Sequence, residues 1–435
     1  MKTDHYSGLL MKSFFRNYYF LLVIACIAVF FSVVSLDFQT SWDDQWMVVN
    51  RYTEDGFTWG NLQAVFTQFY VTQYSPVNEL TYMAIYAVFG YHPVVFHLYP
   101  LLLHIANCCL LFAFLSLLAS TFHHRAPRLV AFVASLLFAV HPLQVESIAW
   151  ISASKIPLYT LFTLLALLAY LQYVHTFKIR FYIAAFALFV CAFGSKEQAV
   201  VLPAALLALD WALGRHLKSD GGGWLQLLVE KLPFILFAFF ATFITISHQN
   251  AEWIERAAGY PLWQRLVFAC YSLVVYAGRF VLPARLLYFY PFSITPGDSM
   301  PLHFFIYPVI VGVVLYLLFV NFKKIPRSVV FCFLFFLIYM SLSLHIVPMS
   351  RPNITADRYV YLASAGLFFI AAWYVVPWFQ KMVYSRKKWI LAVAACYLLY
   401  LGGYAHLRTY VWKDSDTLKK EFRELIDTGT ENQDT

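Results

Sequence analysis

Charged residues are scarce in this chain of 435 residues: only 12% are Asp, Glu, Lys or Arg, against 61% hydrophobic and 20% aromatic residues. So little charge excludes a soluble globular protein, because a soluble domain of this length could not hide so much apolar surface. The net charge of +8 comes from basic residues in short segments between apolar runs, which is the orientation signal of membrane proteins. The composition therefore predicts a polytopic membrane protein and argues against a nucleic-acid-binding surface.

Cysteine is also scarce, and all seven cysteines lie within apolar runs. No pair has the CxxC-type spacing of a metal site, and no disulfide framework is indicated. Each cysteine is expected to be a small buried hydrophobic residue. The first apolar run, residues 18–36, is not followed by a small-residue cleavage site, so we interpret it as a retained membrane span and not as a signal peptide.

The basic clusters predict the topology. Lys2, Lys12 and Arg16 place the amino terminus in the cytoplasm. If residues 263–282 crossed the membrane, the later basic clusters would fall on the outer face, so residues 249–301 are expected to form an outer-face or re-entrant segment. We expect an all-α protein with about eleven spans and an outer carboxyl terminus. The spans are placed at residues 18–36, 94–118, 129–140, 156–177, 181–193, 199–213, 232–247, 303–320, 328–346, 360–376 and 389–407.

The first outer loop, residues 37–82, carries adjacent carboxylates at Asp43 and Asp44, flanked by Trp42 and Trp46. A charged pair beside a membrane span is costly unless it has a function. The apolar residues of positions 62–69 in the same loop recur at helical spacing. This pattern predicts an interfacial helix lying on the membrane surface, and a helix packed on the rest of the loop is equally compatible with it.

Most other ionisable residues that lie at membrane boundaries fall on the predicted outer side. Such residues usually face a bundle interior or a wet cavity, so their convergence predicts one outward-facing pocket. The residues expected to contact a substrate there are Arg358, Arg351, Lys196, Glu197, Glu146, Lys155, His141, Asp357, Tyr74 and Glu79.

Carboxylates and arginines together suit the transfer of a sugar from a lipid-linked phosphate to a hydroxyl group. The hydroxyl is a poor nucleophile at neutral pH and needs a carboxylate base. The leaving phosphate needs fixed positive charge, which the planar fork of arginine supplies best. Stabilising that developing charge is worth a few kcal/mol per donor.

Simpler roles stay open for these acids. Asp43 and Asp44 could cap a helix and remain solvated. Glu79 could pair with Arg51 at the surface. A divalent cation such as Mg²⁺ or Mn²⁺ beside Asp43 would suit carboxylate ligands. No further carboxylate has clear ligand spacing, so no metal site is predicted.

Alternatives also stay open for the central residues. His141 either ends a helix before proline or serves as a pocket residue. Glu146 and Lys155 either form a structural pair or contact substrate. Lys196 and Glu197 are adjacent and would diverge on a helix, so one could line the pocket while the other pairs elsewhere.

Several short motifs resemble those of a known family of membrane enzymes. They are Trp42-Asp43-Asp44, Tyr74-Ser75-Pro76-Val77, FHLYPLLLHIANCCLL at 96–111, HPLQVESIAWISASK at 141–155, residues 194–197, ADRYVYL at 356–362 and Trp412-Lys413-Asp414. In this order the motifs resemble the GT-C superfamily of glycosyltransferases. The closest likeness is to the membrane domain of the transmembrane-and-tetratricopeptide-repeat O-mannosyltransferases, the protein O-mannosyltransferases and their bacterial relatives.

The resemblance implies a GT-C fold, a polyprenyl- or dolichyl-phosphate sugar donor and a catalytic acid in the Asp43–Asp44 pair, with Asp43 favoured. It also implies that Arg358, with Arg351 near it, faces the donor phosphate. Residues 1–407 would form the glycosyltransferase domain and residues 408–435 a short polar tail. The relatives continue into tetratricopeptide repeats where this sequence stops, so the acceptor is not implied.

We therefore expect a multi-pass enzyme of a bacterial inner membrane with its active site on the periplasmic face. It would be an inverting glycosyltransferase that moves a sugar, such as mannose, from a lipid-linked donor to a protein Ser/Thr hydroxyl. Its partners would be the polyprenyl-phosphate donor, an acceptor protein or glycan, and membrane lipids. A glycan or lipid acceptor, a transporter or flippase of lipid-linked sugar, and a scaffold without catalysis stay open as alternatives.

Overall fold

The computed structural model describes residues 3–431 except 71–72, 218–222, 249–254, 256–257, 291, 293 and 349–352. This part of the chain is a bundle of helices. Its only β pairing is an isolated antiparallel bridge between Tyr70 and Gln73. The all-α class predicted from the sequence is confirmed.

The α-helices are numbered here in chain order. They are α1 Thr3–Phe30, α2 Asp44–Met47, α3 Arg51–Glu54, α4 Trp59–Thr67, α5 Pro76–Phe89, α6 Pro93–Thr121, α7 Pro127–Val140, α8 Val145–Ala149, α9 Lys155–Thr176, α10 Ile179–Ser195, α11 Leu202–Ala212, α12 Gly223–Ser247, α13 Leu262–Val281, α14 Ile306–Asn321, α15 Arg327–Met340, α16 Ser364–Gln380, α17 Tyr384–Thr409 and α18 Ser415–Glu431.

Several helical segments are long and apolar enough to cross a bilayer, which supports the multi-pass character. Six segments in the described chain meet this criterion: Asn17–Ser35, Pro93–Thr121, Ile151–Thr176, Gly223–Ser247, Leu302–Lys324 and Tyr384–Trp412. A seventh span is formed if the bent pair Pro127–Val140 and Pro142–Ala149 is counted as one. Three shorter apolar helices are Ile179–Ser195, Arg327–Ser343 and Ser364–Gln380. The count of eleven stays a prediction.

The bend after α7 has a local cause. Helix α7 ends at Val140, where the sequence predicted the end of a span, and the two halves of the pair meet at 59°. His141 is extended because the residue before a proline is disfavoured in the helical region. Its Nδ1 accepts a hydrogen bond from the Leu143 nitrogen at 3.2 Å and so caps the short 3₁₀ turn Pro142–Gln144.

The interior of the bundle is built around α6, α7, α9 and α16. Helix α6 packs against α1, α7 and α9, and α7 packs against α16. Gly366 lets α16 approach α15 closely, because a Cβ placed there would lie 2.3 Å from the Cys332 carbonyl oxygen. Helix α14, by contrast, leaves nearly all its apolar side chains exposed, as expected of a helix that faces lipid tails.

Helix α13, Leu262–Val281, lies in the middle of the segment 249–301 that was predicted to lie on the outer face. It is not one of the helices that meet the criterion for a span, and its relation to the membrane surface stays a prediction. The Tyr276 hydroxyl on α13 donates to the Ala356 carbonyl and accepts from the Ala356 nitrogen, both at 2.8 Å. Helix α13 therefore holds the backbone just before Asp357.

A buried network of charges was missed by the sequence analysis. Asp210 is fully buried, and it binds Arg215 at 2.8 Å and Lys231 at 2.6 Å. Glu230 binds the same two cations at 2.8 and 2.6 Å. The Tyr170 hydroxyl donates to Asp210 at 2.8 Å. Two acidic and two basic side chains thus join α9, α11 and α12, in the part of the chain that the sequence analysis assigned to the inner side of the membrane.

Candidate active site

The loop that carries the two aspartates is anchored to the carboxyl-terminal end of the bundle. The Asp37 nitrogen donates to the Lys413 carbonyl at 2.7 Å, and Gln39 Nε2 donates to the Trp412 carbonyl at 2.9 Å. The Trp412 ring stacks on Trp150 with a centroid distance of 5.3 Å. These contacts bring the first loop, the segment after α8 and the start of the tail together.

Asp44 is tied into this assembly. Its side chain is fully buried. Oδ2 accepts from the Gln39 nitrogen at 2.9 Å, and Oδ1 accepts from the Ser152 nitrogen at 3.1 Å and from the Ser152 hydroxyl. Burial raises the pKa of Asp44, while these hydrogen bonds oppose the shift. Both carboxylate oxygens are therefore occupied in joining the loop to the segment before α9.

Asp43 has a different environment. It is half-buried. Burial raises the pKa of Asp43, and the positive charges of Lys155 and Arg358 act against this shift. The residue precedes α2, but its side chain makes no capping hydrogen bond to that helix. The capping alternative is therefore not observed for Asp43. Its carboxylate has a side-chain hydrogen bond with Trp46, and its charge interacts with two cations from distant parts of the chain.

Arg358 is held by Glu146. Its backbone nitrogen donates to Glu146 Oε2 at 2.8 Å, and its guanidinium binds Glu146 Oε1. The guanidinium carbon also lies 5.3 Å from the centroid of the Trp150 ring. The Arg358 side chain remains 21% exposed. The suggested structural pair of Glu146 with Lys155 is wrong: Glu146 pairs with Arg358, which no local spacing could show.

Lys155 connects the predicted site residues. It is the first residue of α9, and its charge interacts with those of Asp43, Glu79, Glu197 and Arg358. Its Nζ donates a hydrogen bond to Gln73 Oε1. The structure thus brings together side chains from the first loop, α5, α9, the turn after α10 and the segment before α16.

Glu79 lies in a cleft beside this group. The cleft is lined by Trp46, Met47, Gln73, Glu79 and other residues of the first loop. Burial raises the pKa of Glu79 to about 7, with Asn50 and Lys155 opposing the shift. Within the described residues, its Oε2 is buried without a hydrogen-bond partner.

The suggested surface pair of Glu79 and Arg51 is not found. The Arg51 guanidinium donates instead to the Tyr52 hydroxyl at 3.3 Å and to Gln68 Oε1 at 3.4 Å. Glu79 is therefore an inward-facing acid of the cleft and not half of an exposed ion pair.

Lys196 and Glu197 do not diverge as a helix would require. Helix α10 ends at Ser195, and Lys196 is extended with φ −160° and ψ 135°. Lys196 Nζ consequently lies 3.6 Å from Glu197 Oε1. The prediction that the pair would split is wrong, because it assumed continuous helix across this position.

His141 and Tyr74 are engaged with backbone atoms. His141 is fully buried, and its Nε2 lies 3.1 Å from the Phe280 carbonyl while Nδ1 accepts from Leu143. The Tyr74 hydroxyl donates to the Phe66 carbonyl at 3.0 Å. These contacts join His141 to α13 and Tyr74 to α4.

Asp357 lies next to Arg358 but faces other partners. Tyr290 donates its hydroxyl hydrogen to Asp357 Oδ1 at 2.8 Å, and Arg279 Nη1 lies 3.7 Å from the same oxygen. Burial raises the pKa of Asp357 to about 7, although Arg279 opposes the shift. The predicted site residue Arg351 lies outside the described residues.

One face of helix α4 packs against the rest of the first loop and α5, and the other face is exposed. Val65 is buried against Tyr52 and Met83, so the alternative of packing on the loop is confirmed for this face. Trp59 is 81% exposed and Phe66 48% exposed. Contact of the exposed face with a membrane stays a prediction.

One group in the described chain has three side chains of the types that bind metals within 4.8 Å of one another. It consists of Cys26, His104 and Cys108. The group is separate from Asp43 and Asp44. No protein-family model, curated protein or solved structure matches this chain significantly.

Proposed function

We propose that this protein is an inverting glycosyltransferase that moves a sugar from a polyprenyl-phosphate donor to an acceptor hydroxyl. The observation that carries the proposal is the half-buried Asp43, whose charge interacts with those of Lys155 and Arg358. A base beside fixed cations is what this reaction needs. The motifs that resemble the GT-C superfamily point to the same reaction.

In the proposed reaction, Asp43 accepts the proton of the acceptor hydroxyl as its oxygen attacks the anomeric carbon. The bond from that carbon to the phosphate oxygen breaks on the opposite side, so the configuration inverts. The polyprenyl phosphate leaves with the bonding electron pair. Arg358 binds the phosphate through the guanidinium edge that Glu146 does not use, and Lys155 adds positive charge nearby.

Asp44 has a positioning role in this proposal. Its hydrogen bonds to Gln39 and Ser152 fix the backbone that presents Asp43. This difference gives a reason for adjacent carboxylates: both oxygens of Asp44 accept hydrogen bonds from Gln39 and Ser152, whereas Asp43 interacts with Trp46 and with the charges of Lys155 and Arg358. We propose a protein Ser/Thr hydroxyl as the acceptor, which the resemblance itself does not imply, and a hexose such as mannose as the sugar.

The proposed location is a bacterial inner membrane, with the site on the periplasmic face. The basic clusters of the sequence support this orientation, and the apolar helices support multi-pass insertion. The GT-C fold and its eleven spans belong to the same proposal.

The test compares glycosylated products, by mass spectrometry, in cells that carry the wild-type protein, Asp43→Asn or Asp55→Asn. Asp55 is an exposed carboxylate of the same loop and serves as the matched control. We expect Asp43→Asn to lower product yield by about 100-fold or more, as for loss of a general base. Equal yields from wild type and a folded Asp43→Asn protein would reject the assignment. Flux of lipid-linked sugar in vesicles without a covalent product would instead favour a transporter.

A further inference from the structure

Three side chains that can bind metals meet between the first two apolar spans, away from the candidate active site. Cys26 lies near the middle of Asn17–Ser35, and His104 and Cys108 lie one turn apart near the middle of Pro93–Thr121. All three are fully buried. The Cys26 and Cys108 sulfurs are 3.6 Å apart, and Cys108 Sγ is 3.6 Å from His104 Nε2.

These separations match the edges of a zinc coordination tetrahedron. Zinc–sulfur bonds of about 2.3 Å and zinc–nitrogen bonds of about 2.0–2.1 Å place adjacent ligand atoms roughly 3.5–3.8 Å apart. Two of the three separations between ligand atoms therefore already match that spacing, and the third is within 4.8 Å. Without an ion, His104 Nε2–H can donate to the Ala139 carbonyl oxygen at 3.2 Å. An ion bound to Nε2 would replace that hydrogen, and the same oxygen would then offer a fourth ligand from α7.

The surroundings of His104 fit a metal ligand. Its Nδ1 lies 2.8 Å from the Tyr361 hydroxyl, so the Nδ1-protonated ring can donate there and leave the Nε2 lone pair to an ion. A ligating histidine almost always has such a partner on its other nitrogen, which fixes the ring orientation. Asn107 also donates to Tyr361, at 3.4 Å.

The net charge of the complex favours Zn²⁺ over Cu⁺. Two thiolates and a neutral imidazole around Zn²⁺ carry no net charge, whereas the same ligands around Cu⁺ carry one negative charge. A net charge within the apolar part of a membrane is expensive. Binding is balanced as two thiols plus Zn²⁺ giving the dithiolate complex and two protons, which is the usual proton release of thiolate sites.

We propose that Cys26, His104 and Cys108 bind one Zn²⁺ ion that links α1 to α6. Cysteine spacing along the sequence could not reveal this site, because Cys26 lies 82 residues from Cys108. The ion has a structural role: it replaces two buried thiols between the first spans with coordinate bonds. The site is independent of the proposed sugar transfer.

The test measures zinc in the purified full-length protein, expressed in zinc-supplemented medium, for wild type, Cys26→Ser, Cys108→Ser and Cys109→Ser. Cys109 adjoins the site in sequence and is only partly buried, which makes it the matched control. We expect about one zinc per chain in wild type and Cys109→Ser, and at least about tenfold less in the other two variants. Wild type without zinc, or variants that retain it, would overturn the proposal.

A second measurement tests the proposal even if the Cys26→Ser and Cys108→Ser variants fail to fold. Wild-type protein from cobalt-supplemented cells is expected to show a thiolate-to-cobalt charge-transfer band that a Cys109→Ser protein keeps. Peptide mapping under non-reducing conditions, on protein alkylated as purified with its metal in place, is expected to find no disulfide between Cys26 and Cys108. An absent cobalt band, or a disulfide between Cys26 and Cys108, would reject the zinc site.

Discussion

The carboxylate of Glu146 binds Arg358 at two points, through the backbone nitrogen at 2.8 Å and through the guanidinium. The two residues are 212 positions apart in the chain. Because one acid fixes both the main chain and the side chain, the orientation of the guanidinium is set before any substrate arrives. Preorganised charge of this kind costs no rearrangement at the moment of reaction.

Glu146→Gln is expected to lower sugar transfer, because the guanidinium loses its charged partner and with it a fixed orientation. Loss of a hydrogen bond between charged groups costs about 1.5–3 kcal/mol, which corresponds to roughly a 10- to 100-fold fall in kcat/KM. The measurement is the initial rate of transfer with a defined lipid-linked donor. Glu54→Gln, at an exposed position, is the control, and an unchanged rate in Glu146→Gln would contradict the prediction.

Asp44→Asn is expected to destabilise the protein, whereas Asp43→Asn is expected to leave its melting temperature nearly unchanged. An asparagine at position 44 cannot accept all the hydrogen bonds that the two carboxylate oxygens receive from Gln39 and Ser152. A buried donor left without an acceptor costs about 1–3 kcal/mol. Thermal unfolding in detergent checks the difference, and equal melting temperatures would show that Asp44 does not hold the loop.

Glu79 is expected to make stability fall as pH rises. Its pKa in the folded chain is about 7, above the ordinary value of 4.5, so the folded protein keeps a proton that the unfolded chain releases in this range. Raising the pH from about 4.5 through 7 therefore removes up to about 3 kcal/mol of stabilisation. Glu79→Gln mimics the protonated acid and should melt above wild type at pH 8 but not at pH 5. A constant difference would contradict this.

Gly366→Ala is expected to weaken the packing of α15 against α16. Its Cβ would lie 2.3 Å from the carbonyl oxygen of Cys332, so the helix backbones must separate, at a cost of about 1–3 kcal/mol. Gly403→Ala is the control, because a Cβ at that helical position meets no atom within 4 Å. Thermal unfolding should separate the two variants, and a Gly366→Ala protein as stable as the control would show that these helices can shift freely.

Lys231→Met is expected to be among the more damaging changes. The substitution leaves the buried Asp210 with Arg215 as its one cation and removes the 2.6 Å contact to Lys231. Breaking one partner of a buried pair costs about 3–5 kcal/mol. The double variant Lys231→Met, Asp210→Asn removes both charges and should recover part of this loss. If the double variant melts at least as low as the single variant, the charge explanation fails.

The sequence predicted the helical class and the multi-pass character because both depend on composition and on the spacing of apolar residues. It also singled out Asp43, Lys155 and Arg358, whose charges interact in the structure. These residues could be found because ionisable groups beside apolar runs are conspicuous. The contacts among these residues could not be predicted, because contacts between distant segments leave no local pattern in the sequence.

The missed and mistaken features have different causes. The pairing of Lys196 with Glu197 depends on a helix end at Ser195, which periodicity places only approximately. The Asp210 network joins three helices, and contacts between separate helices leave no local pattern in the sequence. Asp43 and Asp44 are identical neighbours in sequence, and their difference arises from tertiary contacts: Ser152 and Gln39 donate to Asp44, whereas the charges of Lys155 and Arg358 act on Asp43.

The anchoring of the first loop on Trp412 and Lys413 has a consequence for biosynthesis. The loop leaves the ribosome early, but the atoms that hold it are made almost four hundred residues later, at a separation of 373 positions for Gln39 and Trp412. A nascent chain therefore carries an unfinished candidate site until the apolar helix α17 has been made. The candidate site is assembled only when residues 37–39 have met residues 412–413.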